Sequence, residues 1–337
     1  MKNNTCLPDN QGVVFGQSVE KWKGKRKRGS RLVRLYRKSK YFNYADRVEK
    51  CSTWLQFYAM KNGDKQLIGA NFCHLRLCPV CSSRRAMRTA WKLSQVLDKV
   101  EADRQGAVFL FLTLTVRNCS GDKLGDTLGQ LTRAWNLLMK QRKIERSIRG
   151  WFRAIEITRP RKDSYHPHLH AILAVEPAYL AKNSELYITQ EEWIDRWKKA
   201  LRVDYKPSVR IQVTKAKGEM SGGRAAALEA AKYAVKDEDY IDPKLSDDEA
   251  AKIVKDYTDA LHRRRLTAFG GWLKEAAMAL NIGELDDGDL VHVEPETIRA
   301  DIADYIETYQ WNFGAGDYVL TDRRPNPLKV VRQSDEK

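Results

Sequence analysis

No stretch of this 337-residue chain approaches the roughly 20 apolar residues that span a bilayer. The opening Met1-Lys2-Asn3-Asn4-Thr5-Cys6 is polar and leads into no apolar run of signal-peptide length. A cytoplasmic protein with no membrane partner is expected. A phosphate loop is missing too. The small-residue turn Ser221-Gly222-Gly223 is not followed by Gly-Lys-Ser/Thr, and no other strand ends in a glycine-rich turn, which excludes a Walker-type ATPase and a dinucleotide site. Acid is short relative to base, 44 Asp and Glu against 60 Lys and Arg, for a formal net charge of +16. Internal pairing cannot neutralise that excess, so the surface attracts a polyanion in a salt-dependent way, and nucleic acid is the natural partner. Cysteine and histidine are scarce, six of each, so their clustering is informative.

What is present is a folding composition. Hydrophobic residues make up 42% and aromatics 9%, ample for one large core with a smaller module and incompatible with wholesale disorder. The positive charge is concentrated: residues 21 to 40 hold eleven Lys or Arg and no acid. Such a block reads as an arm that is disordered or folds on binding. Lys25, Arg26, Lys27 and Arg28 are its candidate DNA contacts, with Trp22, Tyr36 and Tyr41 as stacking or packing residues.

Four cysteines have metal-site spacing. In Cys73-His74-Leu75-Arg76-Leu77-Cys78-Pro79-Val80-Cys81 the Cys-x-x-Cys knuckle lets two thiolates meet one tetrahedral ion. Cys51 and Cys73 complete a four-sulfur Zn2+ site, with His74 the substitute ligand; buried small hydrophobes are the competing reading. Cys6 and Cys119 lack partner spacing and read as structural or free thiols.

Periodicity predicts an amphipathic helix over 83–100, a buried strand over 107–116, a helix over 124–148, and strands over 151–158 and 167–175 flanking a polar loop that starts at Arg159-Pro160. A further strand fits 209–214 and a helix 225–236. Three of the six histidines fall in His166-Pro167-His168-Leu169-His170. On an extended strand His168 and His170 share a face while Leu169 points to the core, which makes half of a metal site. A catalytic ion needs a further ligand and an open position. Glu156, an acid inside the apolar Ala154-Ile155-Glu156-Ile157, supplies it if its strand runs antiparallel to the histidine strand; His166 is the other candidate, and a polar-face Glu156 the bland reading.

In Leu228-Glu229-Ala230-Ala231-Lys232-Tyr233-Ala234-Val235-Lys236, Glu229 lies four residues before Tyr233 and Lys236 three after, so all three share a face at helical spacing. The set suits phosphoryl transfer: a tyrosine nucleophile, a lysine for the phenolate or a phosphate oxygen, and a glutamate as general base. By spacing alone an ordinary surface helix, with a Glu-Lys pair and a tyrosine packing on the core, is the better explanation.

Taken together, the chain resembles the HUH-type endonucleases, and more narrowly the plasmid rolling-circle replication initiators that begin with a cysteine-rich segment. The residues carrying the resemblance are Phe111-Leu112-Thr113-Leu114-Thr115, His166-Pro167-His168-Leu169-His170, and Glu229 with Tyr233 and Lys236; weaker echoes are Cys73 to Cys81, Phe269-Gly270-Gly271 and Trp311-Asn312-Phe313-Gly314. The resemblance implies an α+β fold, a central antiparallel sheet flanked by helices with an N-terminal zinc-binding segment. It also implies Mn2+ or Mg2+ at His168, His170 and Glu156, and attack by Tyr233 on one strand at a single-stranded or hairpin nick site in a replication origin. A 5′-phosphotyrosine link and a free 3′-hydroxyl for a host polymerase result, with a host helicase as further partner, and Glu229 stands where related enzymes carry a second tyrosine. The expected organisation is a basic arm over 1–45, the cysteine-rich segment and helix over 46–100, the nuclease domain over 101–272 and a helical or extended region over 273–337. A related transposase or relaxase with the same chemistry, or a zinc-containing DNA-binding regulator without catalysis, are the alternatives.

Overall fold

A computed structural model describes residues 19–161, 163–214, 222–231, 235–286, 288–293 and 298–329. Tyr233 lies outside the described residues. In chain order the elements are α1 (Val19–Lys38), α2 (Phe42–Lys50), β1 (Trp54–Ala59), β2 (Lys65–Ala70), α3 (Pro79–Asp103), β3 (Val108–Thr115), α4 (Gly121–Met139), α5 (Arg142–Ser147), β4 (Gly150–Arg161) and β5 (Ser164–Val175). They continue as α6 (Gln190–Leu201), β6 (Val209–Val213), α7 (Gly222–Ala230), α8 (Glu238–Ile241), α9 (Asp247–Leu261), β7 (Thr267–Gly270), α10 (Gly271–Ala279), β8 (Tyr305–Asn312) and β9 (Asp317–Pro325). The fold is α+β, with two wholly antiparallel sheets flanked by helices. Two compact units are present, Met1–Arg84 with Asp289–Lys337 and Arg85–Gly288. No described helix is long and apolar enough to cross a membrane.

The first unit joins the two ends of the chain. Its sheet has the order β2-β1-β8-β9, and β1 pairs with β8 from Trp54↔Gln310 to Ala59↔Tyr305. The tail expected only as a helical or extended region therefore completes the sheet of the cysteine segment. The basic block is a packed helix in its described part, because Trp22, Leu32, Val33, Leu35 and Tyr36 bury along α1 beside its cations. An amphipathic face of that size outweighs the repulsion among solvated lysines.

The second unit holds a sheet of order β6-β3-β5-β4-β7. On one face Phe109, Phe111, Phe152, Ala154, Ile172 and Ala174 form a single cluster with residues of α3, α7 and α10. Leu169, Ala171 and Leu173 alternate with these on β5 and are fully buried, and α4 packs on that strand beside α6 and α9. Trp197 of α6, also fully buried, donates Nε1 to the Thr115 carbonyl at 2.9 Å, tying α6 to the end of β3.

Three boundaries differ from expectation. β4 runs through Arg159-Pro160, where a loop was expected; the proline sits at a register shift between Thr158 and Arg161, where a missing N–H costs little. The helix expected over 124–148 breaks into α4 and α5 around Lys140 and Gln141, and α5 buries Ile144 and Ser147. The helix expected to reach Lys236 ends at Ala230, and burial of Val235, Tyr240 and Ile241 takes the chain into the short α8. Lys236 is thus not on α7, and Glu229 and Lys236 do not share one helix face.

Candidate metal centre

The pairing of β3, β5 and β4 assembles the site. Two cross-strand rows cross the sheet, Thr115↔His168↔Glu156 and Thr113↔His170↔Ala154. Paired residues share a face, so the carboxylate and both imidazoles project together. Glu156 Oε2 lies 3.3 Å from His168 Nε2 and 3.0 Å from His170 Nε2. Glu156 is 7% exposed and His168 9%. Burial pushes the Glu156 carboxyl up, but the hydrogen bonds and charges of His168 and His170 outweigh it and hold the group well below the usual carboxylate range.

The outer nitrogens decide what the triad can hold. His168 Nδ1 lies 3.2 Å from the His166 carbonyl, and His170 Nδ1 3.1 Å from Thr113 Oγ1. The His166 carbonyl can only accept, so it takes the His168 Nδ1–H, and Thr113 Oγ1 can accept from His170 Nδ1; with both protons on Nδ1, both Nε2 lone pairs would face a cation placed beside Glu156. Two imidazoles and one carboxylate with coordination positions left over suit a divalent cation that also binds substrate oxygen. His166, the other candidate ligand, turns away: its Nδ1 pairs with Asn118 Oδ1 at 2.7 Å, and the metal-competent group is Glu156, His168 and His170.

The sequence places Thr113 in a strand and gives it no role. Its one legible signal was a hydroxyl inside the apolar run Phe111 to Leu114. Thr113→Val is expected to raise the metal concentration for half-maximal binding by roughly 10- to 100-fold, a shift that Thr113→Ser should largely reverse. Titration of each variant with Mn2+ measures this, and an unchanged Thr113→Val midpoint would remove the orienting role.

The segment before Tyr233 packs on β5, and the segment after it packs on α9. Upstream, Ala227 and Ala230 of α7 bury in the cluster that contains Ile172 and Ala174, on the face of the histidines. Glu229 of α7 is exposed. Downstream, Lys236 is exposed and its charge acts on Asp239. Burial raises the Asp239 carboxyl to about 6 against the opposing hydrogen bond from Tyr257 and the charges of Lys236 and Arg159. Tyr257 Oη donates to Asp239 at 3.1 Å, and its ring meets that of Tyr165, the residue before His166, edge-on at 5.3 Å.

In the first unit Cys51, Cys73, Cys78 and Cys81 converge, all buried. Sulfur separations are 3.5 Å for Cys51 and Cys81, 3.6 Å for Cys73 and Cys81, and 3.6 Å for Cys51 and Cys78. A tetrahedron with metal–sulfur bonds of about 2.3 Å has edges of about 3.8 Å, so the four sulfurs sit close to the vertices that one ion requires. His74, the substitute ligand, is not in this group. Hydrogen bonding from Cys73 and the other thiols, with burial, pushes the Cys51 thiol well above its usual value, a cost that a bound cation would remove. Of the candidate DNA contacts, Lys25 bonds Ser83 Oγ and Arg26 is buried, while Lys27 and Arg28 are exposed.

A family profile described as "Replication protein" matches residues 64–319. Proteins named "Protein rep" are similar over most of their length. One from Streptococcus pneumoniae is 34% identical over 277 residues, covering 82% of this chain and 84% of that protein. One from Bacillus amyloliquefaciens is 34% identical over 321 residues, covering 89% and 93%. One from Lactiplantibacillus plantarum is 38% identical over 288 residues, covering 83% and 89%. No solved structure matches.

Proposed function

This chain belongs to the Replication protein family of plasmid replication initiators, and from that premise we propose that it starts rolling-circle replication by nicking one DNA strand with Tyr233 on an HUH-type nuclease fold. The observation that carries the reading is the Glu156, His168 and His170 triad, with an acceptor behind each imidazole. A divalent cation, Mn2+ or Mg2+, bound there would polarise the scissile phosphate.

The Tyr233 oxygen attacks phosphorus and gives up its proton to solvent. The bond from phosphorus to the 3′-oxygen breaks, and that oxygen leaves as a hydroxyl after taking a proton. The product is a 5′-phosphotyrosine and a 3′-end that a host polymerase extends behind a host helicase. Lys236 stabilises the phenolate or a phosphate oxygen. Glu229, exposed on α7, acts as base for the hydroxyl that later attacks the phosphotyrosine and releases the strand. The cysteine tetrad would hold a structural Zn2+.

Incubation of the purified chain with supercoiled plasmid and Mn2+ tests this. Open circles with protein retained on the cut strand under denaturing conditions are expected, and His170→Ala should lose them. Binding without any cut or adduct would leave a DNA-binding regulator in place of a nuclease.

A further inference from the structure

The Trp311-Asn312-Phe313-Gly314 motif takes no part in that chemistry, yet it forms the tip of the β8–β9 hairpin and is held rigidly. Asn312 closes the turn twice, its carbonyl accepting from the Gly316 N–H and its Oδ1 from the Ala315 N–H, both at 2.9 Å. Gly316 has φ +60°, the left-handed region that glycine enters without penalty. Lys23 of α1 pairs with Asp317 at 2.5 Å, anchoring the first residue of β9. Behind the tip the Arg26 guanidinium, on a residue 2% exposed, lies 5.5 Å from the Trp311 ring and 5.6 Å from the Phe313 ring.

Phe313 itself is 66% exposed at the apex. A large aromatic so supported and yet left in water is suited to contact, because its ordering cost is already met. The surface beside it is cationic. α1 carries ten Lys or Arg and one acid, and Lys27, Arg28, Arg34 and Lys38 are exposed along it. Lys27 to Lys38 span about 16 Å of helix, comparable with several phosphates of a duplex backbone. The hairpin tip adjoins this row, since a side chain at Gly316 would lie 3.7 Å from Lys27 Cε.

We infer that the first unit carries its own docking surface for duplex DNA, in which the exposed cations of α1 lie along phosphates and Phe313 enters a groove and wedges against a base step. Single-strand binders need a stacking platform for each successive base, whereas one rigid apical ring flanked by cations matches a duplex wedge. The inference rests on the reading that this protein works on DNA, and it is independent of the nicking step.

The full chain with His170→Ala, which keeps the DNA uncut, is titrated against a short mixed-sequence duplex and against oligo(dT) of equal length. Adding Phe313→Ala should weaken duplex binding about tenfold at an unchanged salt slope, with Phe313→Trp close to the parent. Lys27→Ala with Arg34→Ala should lower the salt slope by about 2. A 2-aminopurine probe in the duplex should brighten with the parent and stay dark with Phe313→Ala. Full duplex affinity and brightening in Phe313→Ala, or a loss confined to oligo(dT), would overturn the wedge. A wild-type chain that cuts no plasmid but binds duplex through Phe313 would overturn only the nuclease; no duplex binding at all would overturn the docking surface itself.

Discussion

Replacing Tyr233 with phenylalanine is expected to abolish the covalent DNA adduct, lowering nicking by on the order of 10⁴-fold or more while leaving DNA affinity within about twofold. The substitution deletes one oxygen and keeps the ring, so a selective loss of chemistry assigns the nucleophile. Three other tyrosines of the second unit, Tyr165, Tyr240 and Tyr257, are poorly suited to replace it. Tyr240 is 1% exposed. Tyr165 and Tyr257 donate to Asp256 and Asp239, and burial pushes both phenols above their ordinary range, so each holds its proton more tightly than a free phenol does. Glu229→Ala should separate the two halves of the cycle, nicking normally but accumulating protein-linked strands in place of unit-length circles. Adduct persisting in Tyr233→Phe would move the nucleophile elsewhere, and normal release by Glu229→Ala would strip that residue of its role. Gel analysis of radiolabelled circles after one replication round reads both.

Cys78→Ser should be nearly as severe, though on folding. An ion held by the tetrad would pin the end of α2 through Cys51, the stretch after β2 through Cys73 and the start of α3 through Cys78 and Cys81. Structural zinc sites contribute on the order of 10 kcal/mol to folding, so losing one thiolate should lower the unfolding midpoint of the first unit by about 10 °C or more. One zinc per chain is expected in the purified wild type by elemental analysis and little in the variant. If proteolysis then clips the variant within residues 19–84 while 85–288 survives, the damage is local to that unit. Equal metal content and equal melting in both proteins would reduce the four cysteines to ordinary core residues.

Local chemistry was legible wherever it repeats at short range. The spacing of His168 and His170 implied a shared face because strand geometry alternates side chains regardless of surroundings, and β5 places them so. Cys-x-x-Cys implied a common ion for the same reason, since two residues of separation bring the thiolates together in a tight turn. The basic block was harder to read. Charge density suggested an unstructured arm, and the apolar face that makes it a helix was visible only once Trp22, Leu32 and Tyr36 had something to bury against. Helical propensity over 225–236 likewise carried no information about the end of α7 at Ala230.

By itself the amino-acid order determined the ligand types, the net positive charge and the strands and helices that carry the candidate chemistry, because these follow from side-chain identity and short-range periodicity. Tertiary structure alone decided that Glu156, not His166, completes the triad, that Thr113 stands behind His170, and that β8 pairs with β1 from the far end of the chain. Register between strands and pairing between distant segments are set by which apolar faces can be buried together, a property of the whole core that no local window of residues encodes.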